Sequence, residues 1–232
     1  YSVKTIPNEI DYQEEPEWLF NQFSPSEYII IADGYQFDSS YQKKIKSFGY
    51  SLMYVDDLTT EHMYADIVVN HSLHVKPGDF NSEPYTKLAL GTKYAILRPG
   101  FIEASRNKRH INSIDTAFVC FGGADMYNLS FLAVQALLKI EPFKEINVVL
   151  GGANTHDQIY SLARKFPNVN VYRNLNERQL IDVMQKCNFA IAPASTILYE
   201  LCSIKMPVLS GYFVDNQELI YKGFVDSNSI FK

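Results

Sequence analysis

The 232-residue chain carries 21 lysines and arginines against 26 aspartates and glutamates, a formal net charge of −5. With 47% hydrophobic and 20% charged residues it is an ordinary globular composition, long enough to bury one large core or two smaller ones. The acidic balance argues against a nucleic-acid or anionic-membrane partner, and no apolar run approaches the roughly 18 residues of a membrane-spanning helix. Two short basic clusters, around Lys43, Lys44 and Lys46 and around Arg106, Lys108 and Arg109, read as solvated faces.

In chain order, short apolar runs rich in β-branched and aromatic residues predict strands over 28–32, 51–55, 67–70, 116–121, 146–150, 189–192 and 208–209. Helical spacing predicts helices over 41–48, 129–139, 156–165, 177–187 and 195–204, with Asn176 and Gln179 placed as a capping box. Asn216 and Gln217 open a last helix. Most of the strand runs are continuously apolar rather than alternating, as strands must be when helices cover both faces of their sheet. Strand–helix alternation of this kind means an α/β chain of doubly wound, Rossmann-like parallel sheets. Residues 100–113 are polar and basic without a strand signal, so the chain divides into a first half, 1–108, and a second, 109–232.

Cys120, Cys187 and Cys202 lie far apart in apolar segments and read as reduced core thiols of a cytoplasmic protein. His71 and His74 have no accompanying cysteine or carboxylate array, so no metal or other cofactor is expected.

Ligands of open parallel sheets bind beyond the carboxyl ends of the strands. There, Gly122 and Gly123 lack Cβ atoms and leave backbone amides open to a close approach, ahead of Asn128 and a helix N-terminus suited to phosphate. A tight turn needing positive φ explains the same pair. Ser195 and Thr196 place two hydroxyls at another helix N-terminus, with Glu200 four residues beyond Thr196, where a carboxylate can accept from a ribose diol. Alternatively Ser195 is an N-cap and Glu200 an internally paired acid. Gly151 and Gly152 end another strand. Asp56 and Asp57 suit turn chemistry better than a cation, and the amides of Asn216 and Gln217 suit either a polar ligand or capping. The GxGxxG, GxxxxGK[ST] and GxSxG patterns are absent, so a dinucleotide fingerprint, a P-loop and a nucleophile elbow are unsupported.

The ordered series Asp33-Gly34-Tyr35, Tyr54-Val55-Asp56-Asp57-Leu58, Ala65-Asp66-Ile67-Val68-Val69-Asn70, Gly91-Thr92-Lys93-Tyr94-Ala95-Ile96-Leu97-Arg98, Phe121-Gly122-Gly123-Ala124-Asp125, Asn128-Leu129-Ser130, Tyr199-Glu200-Leu201-Cys202 and Asn216-Gln217 resembles one family. It is similar to the UDP-2,4-diacetamido-2,4,6-trideoxy-β-L-altropyranose hydrolases of pseudaminic acid biosynthesis and related spore-coat polysaccharide proteins. These have the two-domain GT-B architecture of the MurG-like glycosyltransferases. The resemblance implies that Ser195, Thr196 and Glu200 hold the diphosphate and ribose of a UDP-sugar, that Gly122, Gly123 and Asn128 line the cleft, and that Asn216 and Gln217 face the sugar or phosphate. It also implies that Tyr35 approaches the sugar and the attacking water. The family's histidine base sits on a glycine-rich loop that would precede Tyr1, and its closing helices would follow Lys232, so the chain reads as shortened at both ends. Where the family has glycine and proline, Ala194 and Met126 stand here. The expected activity is UDP-sugar hydrolysis, with a UDP-sugar glycosyltransferase or a non-catalytic nucleotide-sugar-binding module as alternatives and a UDP-sugar epimerase ranked below them; with the base outside it, this chain alone is expected to bind UDP but to be inactive.

Overall fold

The computed structural model describes residues 2–140 and 143–232. The chain forms two compact units, Tyr1–Ala95 and Ile96–Lys232.

The first unit holds α1 (Glu15–Gln22), β1 (Ile29–Asp33), α2 (Ser39–Ser47), β2 (Ser51–Val55), β3 (His62–Met63), β4 (Ile67–Asn70), β5 (Asn81–Ser82) and β6 (Lys87–Leu90). Its main sheet runs β1-β2-β4-β6 and is parallel throughout; β3 and β5 form a small parallel pair. Asp38 caps α2 by accepting from the Tyr41 amide, and Ile45 turns into a core with Tyr50, Leu52 and Val68. Asp66 accepts from Lys46 Nζ at 2.6 Å and from the Leu52 amide at 2.7 Å, tying α2 to the start of β2.

The second unit holds α3 (Pro99–Ala104), β7 (Thr116–Val119), α4 (Leu129–Leu137), β8 (Glu145–Leu150), α5 (Gln158–Lys165), β9 (Val169–Arg173), α6 (Glu177–Lys186), β10 (Phe189–Pro193), α7 (Thr196–Ser203), β11 (Val208–Gly211) and α8 (Glu218–Asp226). Its parallel sheet runs β11-β10-β7-β8-β9. Counted along the chain, that is the doubly wound order in which the sheet grows outward from β7 in one direction and then restarts beside it with β10. Val119 of β7 pairs with Val148 on one side and Ile191 on the other. One face of β7 and β8 packs Val119, Ile146 and Val148 against Val134 and Leu137 of α4 and Ile159 of α5.

The strands and helices expected over the central parts of both units are present, with ends displaced by a residue or two. Strands β6 and β9 were not expected, and both are sheet edges. Their sequences, Lys-Leu-Ala-Leu and Val-Asn-Val-Tyr-Arg, mix polar with apolar residues because an edge strand is only half covered. The division between units falls at Ala95/Ile96, ahead of the expected 108/109. Part of the expected connection is α3, which packs on α6 and α7 and holds the fully buried Phe101. Arg109 is likewise no solvated charge. It donates to the carbonyls of Met184 and Cys187 at the end of α6, the C-terminal satisfaction that basic side chains provide.

Candidate functional site

The restart of the second sheet puts the carboxyl ends of β7 and β10 side by side, the position where a doubly wound sheet opens a crevice. The loop after β7 carries Gly122 and Gly123, and the chain leaving β10 carries Ser195 and Thr196 into α7. The fold therefore brings two of the predicted segments to one place.

Gly122 has φ 80, a left-handed conformation that favours glycine, so the tight-turn reading of that residue holds. The space where Cβ atoms would stand is nevertheless open at both Gly122 and Gly123, which leaves the backbone approachable. Gly151, at the end of β8, instead packs its backbone directly against Gly123, and a side chain there would collide with it.

The two helix N-termini differ. Asp125 is buried, with φ 46, and its carboxylate accepts from the Leu129 amide at 2.7 Å and the Ser130 amide at 3.0 Å. The positive end of α4 is thus met by a side chain of the same loop. Asn128 also has positive φ, and its side-chain Nδ2 donates to Gln158 Oε1 at 2.8 Å. In contrast, the N-cap residue of α7 leaves the helix end open: Ser195 is extended there, but its hydroxyl makes no capping hydrogen bond. Thr196 is exposed. The phosphate-seeking features expected of both helices are left open at α7 alone.

Glu200 is buried one turn along α7. Its Oε1 accepts from Arg98 Nε at 2.7 Å and its Oε2 from Arg98 Nη2 at 2.8 Å, a bidentate pair. The internally paired reading of Glu200 is the one observed, although each oxygen keeps a lone pair for a further donor. The Arg98 side chain is 42% exposed against 5% for Glu200, so the buried carboxylate holds a guanidinium that still faces solvent. That hydrogen bonding raises the affinity of Arg98 for its proton. Arg98 stands in one of the family-like segments, but its role was not legible there, because its partner Glu200 lies 102 positions away with no local pattern linking them.

Gln217 is buried, and its Oε1 accepts from the Phe213 amide at 3.2 Å, so it serves the loop after β11. Asn216 is half-buried beside it. The neighbouring thiol of Cys120 is buried and pushed up to about 11 by desolvation, which disqualifies it as a nucleophile. Three buried polar atoms at this edge, Ser130 Oγ, Asn154 Nδ2 and Ser210 Oγ, have no hydrogen-bond partner among the described residues.

Tyr35 belongs to the other unit, at the carboxyl end of β1. It is exposed, and its phenol donates to Asp57 Oδ2 at 3.2 Å. Asp57 Oδ1 lies 3.9 Å from His71 Nε2. Burial pushes the His71 imidazole below its ordinary value, against the pull of Asp57 and Asp33. Asp56 turns inward and accepts from the Leu58 and Thr59 amides and from Asn70, the turn chemistry expected of it. Among the described residues no group of three or more His, Cys, Asp or Glu side chains could hold a metal ion, and no helix is long and apolar enough to cross a membrane.

The architecture defined by these observations is α/β with Rossmann-like parallel sheets, of the GT-B type. It is similar to MurG of Acinetobacter baumannii, with a TM-score of 0.59 over 93% of this chain and 61% of that one, at 11% identity. In sequence the chain is 25% identical over 212 residues to an uncharacterized protein of Methanocaldococcus jannaschii, covering 85% of this chain and 43% of that protein. It is 25% identical over 223 residues to the UDP-2,4-diacetamido-2,4,6-trideoxy-β-L-altropyranose hydrolase of Campylobacter jejuni, covering 94% of this chain and 77% of the hydrolase. No family model matches.

Proposed function

We propose that the chain is part of an enzyme acting on UDP-sugars, and that its reaction is hydrolysis. The observation that carries this reading is the uncapped N-terminus of α7 at the restart of the sheet, beside the open Gly122–Gly123 backbone and the Arg98–Glu200 pair. Amides, the Ser195 and Thr196 hydroxyls and a half-exposed guanidinium together suit a diphosphate. The spare lone pairs of Glu200 suit ribose hydroxyls. Asn128 stands in the loop after β7 and Asn216 in the loop after β11, where Gln217 accepts from the Phe213 amide.

In the reaction, water adds to the anomeric carbon, the C1–O bond breaks, and the bonding pair leaves with UDP. The water proton passes to a general base. Donors already aimed at the leaving diphosphate stabilise its growing charge, without reorganisation at the moment of reaction. The role of Tyr35 beside the attacking water rests on the resemblance to the hydrolase family. The 25% identity to a UDP-sugar hydrolase favours water as acceptor. A glycosyltransferase built on the same fold would use a sugar hydroxyl instead.

Calorimetric titration with UDP tests the binding, and mass spectrometry of the products formed from a UDP-sugar tests the reaction. UDP binding that weakens about three- to tenfold in Ser195→Ala and Thr196→Val is expected. Free sugar identifies hydrolysis, and a new glycoside identifies transfer. A protein that neither binds UDP nor releases it would end the proposal.

A further inference from the structure

The loops after β7 and β11 meet over the end of β10. The rings of Tyr127 and Phe213 lie edge to face, 5.9 Å apart at 78°. Because β10 separates β7 from β11 in the sheet, this contact bridges the strand that leads into α7. Met126 is 68% exposed and Tyr127 57% exposed. Neither sits on a slack loop. Tyr127 lies in a turn between Asp125 and Asn128, both at positive φ, closed by the Asn128 amide donating to the Asp125 carbonyl at 2.8 Å. On the other side, Gln217 holds the Phe213 amide. Large apolar side chains displayed on fixed loops beside a polar crevice are features of binding surfaces rather than of ordinary exteriors.

We propose that Met126, Tyr127 and Phe213 form the wall against which the sugar ring of the nucleotide-sugar packs. The inference rests on the UDP-sugar reading above and adds where the sugar lies. Two rings at 78° make a corner, not a parallel-sided slot, so a flat pyrimidine has no stacking partner on each face. A puckered sugar ring, with C–H groups on its faces, fits the corner. It also leaves its remaining polar groups toward the amides and hydroxyls of α7.

The test compares calorimetric affinities for UDP and for UDP-2,4-diacetamido-2,4,6-trideoxy-β-L-altropyranose in the wild type, Tyr127→Ala, Phe213→Ala and Tyr127→Phe. The UDP-sugar should bind more tightly than UDP to the wild type. Each alanine variant should lose about two- to tenfold of UDP-sugar affinity and keep its UDP affinity within about twofold, while Tyr127→Phe retains both. Unchanged UDP affinity also shows that the variants are folded. Loss of UDP and UDP-sugar affinity together would place the nucleotide, or the fold itself, on these rings and overturn the inference. So would unchanged affinity for both, or a wild type that binds the UDP-sugar no better than UDP. Failure of the wild type to bind UDP at all is the separate result that removes the underlying reading.

Discussion

The Arg98–Glu200 pair offers the sharpest energetic test of the second unit. Replacing Arg98 by methionine leaves a carboxylate whose side chain is 5% exposed, with neither of the two hydrogen bonds it now accepts at 2.7 and 2.8 Å. Removing one partner of a fully buried pair costs about 3–5 kcal/mol, whereas exposed pairs contribute about 1 kcal/mol or less. Arg98 is 42% exposed, so water can rehydrate part of the site, and the expected loss for Arg98→Met lies between those limits, at about 2–3 kcal/mol. Glu200→Gln keeps a side chain that can still accept from Arg98 and should cost about 1 kcal/mol. The double variant buries no unpaired charge and should be no less stable than Arg98→Met alone. Urea denaturation of all four proteins, followed by far-UV circular dichroism, gives the coupling energy directly. If Arg98→Met matches the wild type within about 0.5 kcal/mol, or the two substitutions simply add, Glu200 does not depend on Arg98 and the account of the site is wrong.

Asp125→Ala should destabilise the second unit by about 1–2 kcal/mol, because it orphans two amides of α4; denaturation midpoints measure this. Gly151→Ala should cost about 1–3 kcal/mol or force the Gly123 loop aside, since its Cβ meets the backbone of Gly123; amide hydrogen exchange in residues 120–124 reports the displacement. His71 is held below its ordinary value by burial, against the pull of Asp57 and Asp33. The folded state therefore binds its proton less readily than the unfolded chain does, and the first unit should be most stable above the ordinary value of 6.5 and lose stability as the pH falls below it. Comparing wild type with His71→Asn in urea from pH 8 to about 5 isolates this contribution, and parallel pH profiles would refute it.

The elements with continuous apolar runs, β2, β4, β7, β8 and β10, were legible because burial on both faces leaves its imprint in every residue. The edge strands β6 and β9 were not, since half of each faces water and its sequence shows only a weak alternation. Helix α6 announced itself through Asn176 and Gln179, which form the expected reciprocal cap at 3.0 Å in both directions. The candidate site was legible as a set of strand-end segments, two of which the second sheet brings together. Which of its groups are already engaged was not. The carboxylate of Asp125 reaches amides four and five residues ahead, and Glu200 answers an arginine at the very start of its unit. Such pairings are decided by the fold, and no local spacing encodes them.

The meeting of Tyr127 and Phe213 ties together two loops that the chain visits far apart. A residue inserted or deleted between Ala124 and Asn128 would pull one ring away from the other unless the 211–214 segment changed with it. Among homologues, these two loops should therefore lengthen and shorten in step, and a chimaera that exchanges only one of them should discriminate poorly between sugars while still retaining its nucleotide.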